Sequence, residues 1–156
     1  MQRSFGSLAA WLLLSFAVSA VGGYLTSSEI ETWYSTLQKP DFQPPNWLFA
    51  PVWLVLYTLM AIAAWRVHQR VGTLQHVAIH FYLVQLFLNF LWTVLFFSLH
   101  LIGVALGEIL LLWVSILLTT FFFARMDRFS AWLFVPYAFW VGFASYLNFT
   151  IWRLNA

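Results

Sequence analysis

The sequence predicts an all-α membrane protein, a five-transmembrane-helix bundle forming a single domain over residues 1–156. Three observations point there. Only 8% of the residues are charged and 63% are hydrophobic, so the chain lacks the charged surface that a soluble domain of this length needs. Residues 4–28, 42–65 and 129–152 contain no Asp, Glu, Lys or Arg. Residues 71–124 contain only Glu108, and at about twice the roughly 20 residues of one span they hold two helices, parted at Ser98-Leu99-His100 before Gly103.

The first helix is expected at roughly 6–25. Arg3, the apolar run and Val18-Ser19-Ala20 resemble a cleavable signal peptide, but the run continues to Leu25, which favours a retained span. Its small residues Ser15, Ser19 and Gly22 form one stripe, suited to packing within the chain. Residues 26–46 read as a lid loop, the most polar stretch of the molecule. Pro40, Pro44 and Pro45, with Pro51 beyond, fix φ before closure and so lower the cost of ordering it. Trp33 and Tyr34 are expected to anchor one end of the lid and Trp47 the other, with Lys39 and Asp41 in water.

The second helix, at roughly 47–67, aligns Trp53, Tyr57, Met60 and Ala64 at about 100° per residue. The third, at roughly 77–98, aligns Phe81, Gln85, Asn89, Trp92 and Phe96. The fourth is expected at 101–123. The fifth, at 130–152, aligns Tyr137, Trp140, Ala144 and Asn148, with Asn155 following. Three helices thus each offer one aromatic and polar face. Of the 10 Trp, Trp11, Trp47, Trp132 and Trp152 fit interfacial belts, whereas Trp92 and Trp140, with Gln85 and Asn89, lie too deep for that. Buried amides and indoles need partners, and a pocket between helices supplies both partners and a ligand.

Glu108 is the one formal charge placed inside a span, where an ionisable side chain is costly and marks a functional site by default. Gly103 and Gly107 form a GxxxG pair pointing away from it, suited to close packing within the monomer or in a dimer, while the Glu108 face lines a cavity. The four histidines offer no metal or haem site: His76 and His80 have HxxxH spacing without a third ligand, and His68 and His100 lie beside loops. No nucleophile and base pair, phosphate loop, paired carboxylates or cysteine is present. No basic, aromatic-laced patch points to nucleic acid. With five spans, Arg3, Arg66, Arg70, Arg125 and Arg128 share one side and Lys39 and Arg153 the other, which predicts the N-terminus inside.

Several of these residues form a recognisable set: Trp33-Tyr34, Leu37, Lys39-Pro40, Pro44-Pro45, Trp47, Trp53, Leu56-Tyr57, Asn89-x-x-Trp92, Pro136-Tyr137, Trp140, Ala144, Leu147-Asn148 and Leu154-Asn155. Over nearly its whole length the chain resembles the TspO/MBR family, the tryptophan-rich sensory and translocator proteins. The resemblance implies a five-helix bundle, usually a homodimer, with one ligand cavity per subunit capped by the first loop. It implies porphyrin ligands such as protoporphyrin IX, and also sterols, isoquinoline carboxamides and benzodiazepines, with no resident cofactor and no metal. The ligand-binding residues implied are Tyr34, Pro44, Trp53, Tyr57, Asn89, Trp92, Glu108, Trp140, Ala144 and Leu147. Where members degrade porphyrin in light, Trp53 and Trp140 match the implicated tryptophans. The sterol consensus is broken, since Phe149 stands where its Tyr would be before Arg153.

The expected function is a membrane receptor or sensor that sequesters or regulates tetrapyrroles. The alternatives are a light-dependent porphyrin-degrading enzyme and a tetrapyrrole or sterol transporter. A bacterial plasma membrane is the expected location, although family members also occupy outer membranes.

Overall fold

A computed structural model describes residues 5–156; Arg3, used in the charge count, lies outside them. Five helices are long and apolar enough to cross a membrane: α1 (Phe5–Ile30), α2 (Asn46–Val71), α3 (Val77–Thr93, continued by a π-helical turn at Val94–Ser98), α4 (Ile102–Met126) and α5 (Arg128–Asn155). No strand occurs among the described residues. In lipid this is forced, because a spanning backbone must satisfy its own polar groups.

Helix ends depart from expectation for local reasons. The first helix runs past residue 25 because the hydroxyls of Thr26, Ser27 and Ser28 donate to the carbonyls of Gly22, Tyr24 and Leu25, at 2.9, 3.0 and 3.0 Å. A polar run that would break a helix in water is absorbed by back-bonding. The lid therefore shrinks from 26–46 to 31–45, with a short 3-10 turn at Tyr34–Thr36. The second helix continues to Val71 and closes on Gly72, whose φ of 70° gives the left-handed cap that glycine adopts at little cost. Third in order, α3 is capped by His76, whose Nδ1 accepts from the Ala78 N–H at 3.2 Å. Its final turn widens so that the Leu99 N–H donates to the Val94 carbonyl, and the consecutive residues Phe96 and Phe97 are both buried.

Neighbouring helices close a ring in the order α1, α2, α5, α4, α3. One half of the bundle is solid. There Ala61, Ala63, Ala64 and Val67 are fully buried and let α2 come close to its neighbours, while Tyr82, Phe123, Phe134 and Tyr137 form a chain of ring contacts at 5.2–6.2 Å. Trp11, expected in an interfacial belt, belongs to this half: it is buried edge-on against Tyr82, and its indole N–H donates to His68 Nδ1 at 3.3 Å. Ser15 joins it through a 2.8 Å hydrogen bond with the Tyr82 hydroxyl. At the far end of α4, Gly103 is covered by the Trp152 indole, and Gly107 meets no neighbour within 4 Å. Half of the GxxxG pair is thus used inside the chain.

The solid half ends in an ion cluster at the α4–α5 turn. Arg66 Nε lies 2.7 Å from Asp127 Oδ2 and Arg70 Nη2 lies 3.0 Å from Oδ1, while Ser130 donates to Oδ2 at 2.7 Å. Burial alone would raise the Asp127 pKa, but the hydrogen bonds of Arg66 and Ser130 and the two guanidinium charges hold it below its ordinary value. A lowered folded pKa contributes stability that is complete above the unfolded value of about 3.9 and is lost as pH falls through the folded value. Asp127→Asn should cost about 1–3 kcal/mol near neutrality, because Arg66 is left half-buried without its partner. Thermal unfolding in detergent as a function of pH checks this: the gap between wild type and variant should narrow on acidification below about pH 4.

Candidate functional site

The other half of the bundle is hollow. Beyond the solid core, α1, α2, α3 and α5 enclose a cavity of about 290 Å³, roofed by Tyr34 of the lid. The cavity lies at the lower limit of small-molecule pockets, about 300–1,000 Å³. Its wall is apolar and aromatic with a few polar groups set into it, the composition that ligand sites share.

A hydrogen-bond chain forms its base. Tyr57 on α2 donates to Asn89 Oδ1 at 2.6 Å, Asn89 Nδ2 donates to the Tyr137 hydroxyl on α5 at 2.8 Å, and Tyr137 donates to Gln85 Oε1 at 3.0 Å. Three helices are pinned at one level. One turn further along α3, the Trp92 indole donates to Asn148 Oδ1 at 3.0 Å, and Asn148 Nδ2 donates to the Ile102 carbonyl at 3.0 Å. That pair closes the gap between α3 and α5 in front of α4. Just above the base, Trp53 and Trp140 meet edge to face at 6.5 Å, and Phe49 abuts Trp140 at 5.7 Å.

The lid is held at several points. Asn155 clamps Gln38 from both sides, accepting from its N–H at 2.9 Å and donating to its carbonyl at 2.8 Å. Trp33 stacks on His100 at 4.0 Å, and His100 Nε2 lies 3.1 Å from Glu29 Oε2. His100 holds a left-handed φ of 55°, unusual outside glycine, to reach this position. Tyr34 is buried beneath, and burial raises its phenol pKa, so it keeps its proton. Two expectations for the lid fail. Lys39 is not simply in water: its ammonium donates to the Tyr34 and Leu37 carbonyls at 2.7 and 3.0 Å. Trp47 does not pin the other end of the lid against the bundle, being 73% exposed.

Of the ten residues implied as ligand-binding, the structure brings eight to the cavity wall: Tyr34, Trp53, Tyr57, Asn89, Trp92, Trp140, Ala144 and Leu147. Pro44 is half-buried in the lid and does not reach it. Glu108 does not reach it either. It is buried on α4 with neither carboxylate oxygen hydrogen-bonded among the described residues, and no residue of α4 lines the cavity. Phe81 also leaves its stripe, stacking on Phe122 of α4 at 4.8 Å. Sequence reasoning missed the share of α1, which contributes Ser19, Gly22, Gly23, Thr26, Ser27 and Ile30. The signal was there in the small-residue stripe, two of whose three members, Ser19 and Gly22, line the cavity. No group of three His, Asp or Glu that could hold a metal occurs among the described residues.

The model of the TspO/MBR family matches residues 11–153. The chain is 39% identical to the tryptophan-rich protein TspO of Chlorobaculum tepidum, over 99% of both chains. It is 43% identical to protein CrtK of Rhodobacter capsulatus over 79% of this chain and 78% of that one. Against the human translocator protein it is 34% identical, over 86% of this chain and 82% of that one.

The hydrogen-bond chain yields a test by double-mutant cycle. Asn89→Leu should destabilise the bundle in detergent by about 1–2 kcal/mol and Tyr137→Phe by about 0.5–1.5 kcal/mol. Because the two side chains share one bond, the double variant should lose about 0.5–1.5 kcal/mol less than the sum, read from thermal or denaturant unfolding.

Proposed function

The chain belongs to the TspO/MBR family, an integral multi-pass membrane protein with five spans, and from that premise we propose that it is a tetrapyrrole receptor that sequesters or regulates porphyrins such as protoporphyrin IX. One observation carries the proposal. Trp53, Trp92 and Trp140, with Tyr34 and Tyr57, converge on a single lidded cavity whose base is an ordered amide and phenol chain. Flat aromatic walls suit a flat aromatic ligand. No Lys, Arg or His lines the cavity, so the ligand's propionates stay at the mouth, where Lys39 lies over the Tyr34 ring at 4.8 Å. The absence of a histidine from the wall suits an iron-free porphyrin better than an axially ligated haem. Sterols and isoquinoline carboxamides are further ligands on this proposal, and a homodimer would use the free Gly107 face.

A second function is favoured by one contact. Trp53 and Trp140 both wall the cavity and touch each other, so a photoexcited ligand would meet two indoles able to exchange an electron with it. Light-dependent degradation of bound porphyrin would follow. The arginine-rich end would face the cytoplasm and the lid the opposite compartment.

Titration of protoporphyrin IX against tryptophan fluorescence, in the dark and under light with mass spectrometry of the recovered ligand, tests both functions. Trp53→Phe and Trp140→Phe should each weaken dark binding by about 0.5–1.5 kcal/mol, because much aromatic area survives. Photoproduct yield should collapse in the double variant if the indoles take part, and unchanged yield rules them out. Lys39→Gln should weaken the diacid by about 0.2–1 kcal/mol more than the dimethyl ester, since loss of the lid contacts acts on both ligands and loss of the charge only on the diacid. Asn155→Ala should act mainly on the dissociation rate, raising it several-fold as the lid loosens.

A further inference from the structure

A second concavity lies back to back with the first. On the outer face of the bundle, α2 and α5 leave an open groove of about 540 Å³, almost wholly apolar, lined by Pro51, Val55, Pro136, Phe139 and Phe143 among others. Trp140 is the one side chain common to the groove and the inner cavity. Its indole is the partition between them, steadied by edge contacts with Phe49 and Trp53 on the inside and by Phe143 at 6.2 Å on the outside.

The same seam carries both prolines that lie inside helices, Pro51 in α2 and Pro136 in α5. Each lacks the N–H that would bond the carbonyl four residues earlier, so each helix is weakened where it borders the groove. Meanwhile the inner cavity is small. At about 290 Å³ it sits at the bottom of the range for pockets that take drug-sized ligands, and a porphyrin macrocycle is larger than most of those.

We propose that the ligand site is bipartite: one part of a planar tetrapyrrole occupies the inner cavity, and the rest crosses the α2–α5 seam into the outer groove, with the Trp140 indole turned to stack along it. The ligand is then taken up sideways from the bilayer, and the lid closes the aqueous end without having to admit the macrocycle. This inference rests on the tetrapyrrole function proposed above. The groove's occupant is the outer part of that same ligand, because the groove continues the cavity through one shared side chain and supplies the volume that the cavity lacks.

The test uses the full chain in nanodiscs, with protoporphyrin IX as the probe. Bound porphyrin should be quenched by lipids brominated on their acyl chains, since part of the ring faces lipid. Val55→Trp, which fills the groove without touching the inner wall, should raise the dissociation constant at least tenfold. Leu54→Trp, one residue away and equally exposed to lipid, should leave it unchanged. Bound porphyrin that brominated lipid does not quench, or a Val55→Trp variant of wild-type affinity, overturns the bipartite site while leaving a cavity receptor intact. The quenching measurement needs no variant, so it decides even if Val55→Trp does not fold. Failure of the wild-type chain to bind porphyrin at all is a separate result and removes the tetrapyrrole function itself.

Discussion

Asn89 accepts a hydrogen bond from Tyr57 on one helix and gives one to Tyr137 on another, and the bundle's inner geometry follows from this amide. In lipid, apolar side chains gain little by choosing each other over acyl chains, so helix register depends on packing and on polar groups that have no other partner. Asn89 has such a choice forced on it. Its two partners set α3 off from the packed pair α2 and α5, each by the length of a phenol ring, and space remains above them. The cavity results from spacers long enough to prevent collapse.

The same constraint explains why one bundle has two characters. Towards the arginine-rich end, alanines on α2 let helices approach and aromatic rings fill what is left, giving a dense core sealed by Asp127 and its guanidinium partners. Towards the lid, the positions corresponding to those alanines are large rings standing around a void. Close packing and cavity are thereby separated along the bundle axis.

The stripes on α2, α3 and α5 were legible because aromatic and amide residues recur at helical spacing in an otherwise uniform apolar background. Six of the eight cavity-lining residues that the resemblance implies, Trp53, Tyr57, Asn89, Trp92, Trp140 and Ala144, stand in those stripes; Tyr34 and Leu147 came from the resemblance alone. Glu108 stood out because a buried ionisable group signals cost wherever it lies, and cost alone does not say which surface of its helix it faces. The role of α1 stayed hidden because its residues are small and nearly uniform in hydrophobicity around the helix, so a face lining a cavity looks like a face lining another helix. Trp11 was misplaced since distance from the chain end stood in for depth, whereas its indole finds His68 inside. The end of α1 was misjudged because hydroxyl side chains that favour turns in water turn back onto their own helix here.

The π-helical turn at Val94–Ser98 has a consequence for how this chain tolerates changes of length. A π turn is an α-helix that has taken in one additional residue, and the surplus puts Phe96 and Phe97 side by side on the inner surface. Loss of a single residue there would let the helix rewind to regular geometry, while Asn89 and Trp92, which precede it, keep their places. The same loss anywhere between Gln85 and Trp92 would swing part of the cavity wall by about 100° and detach it from α5. Of all the positions along the third span, this turn is where a one-residue deletion can be accommodated with Asn89 and Trp92 left in register.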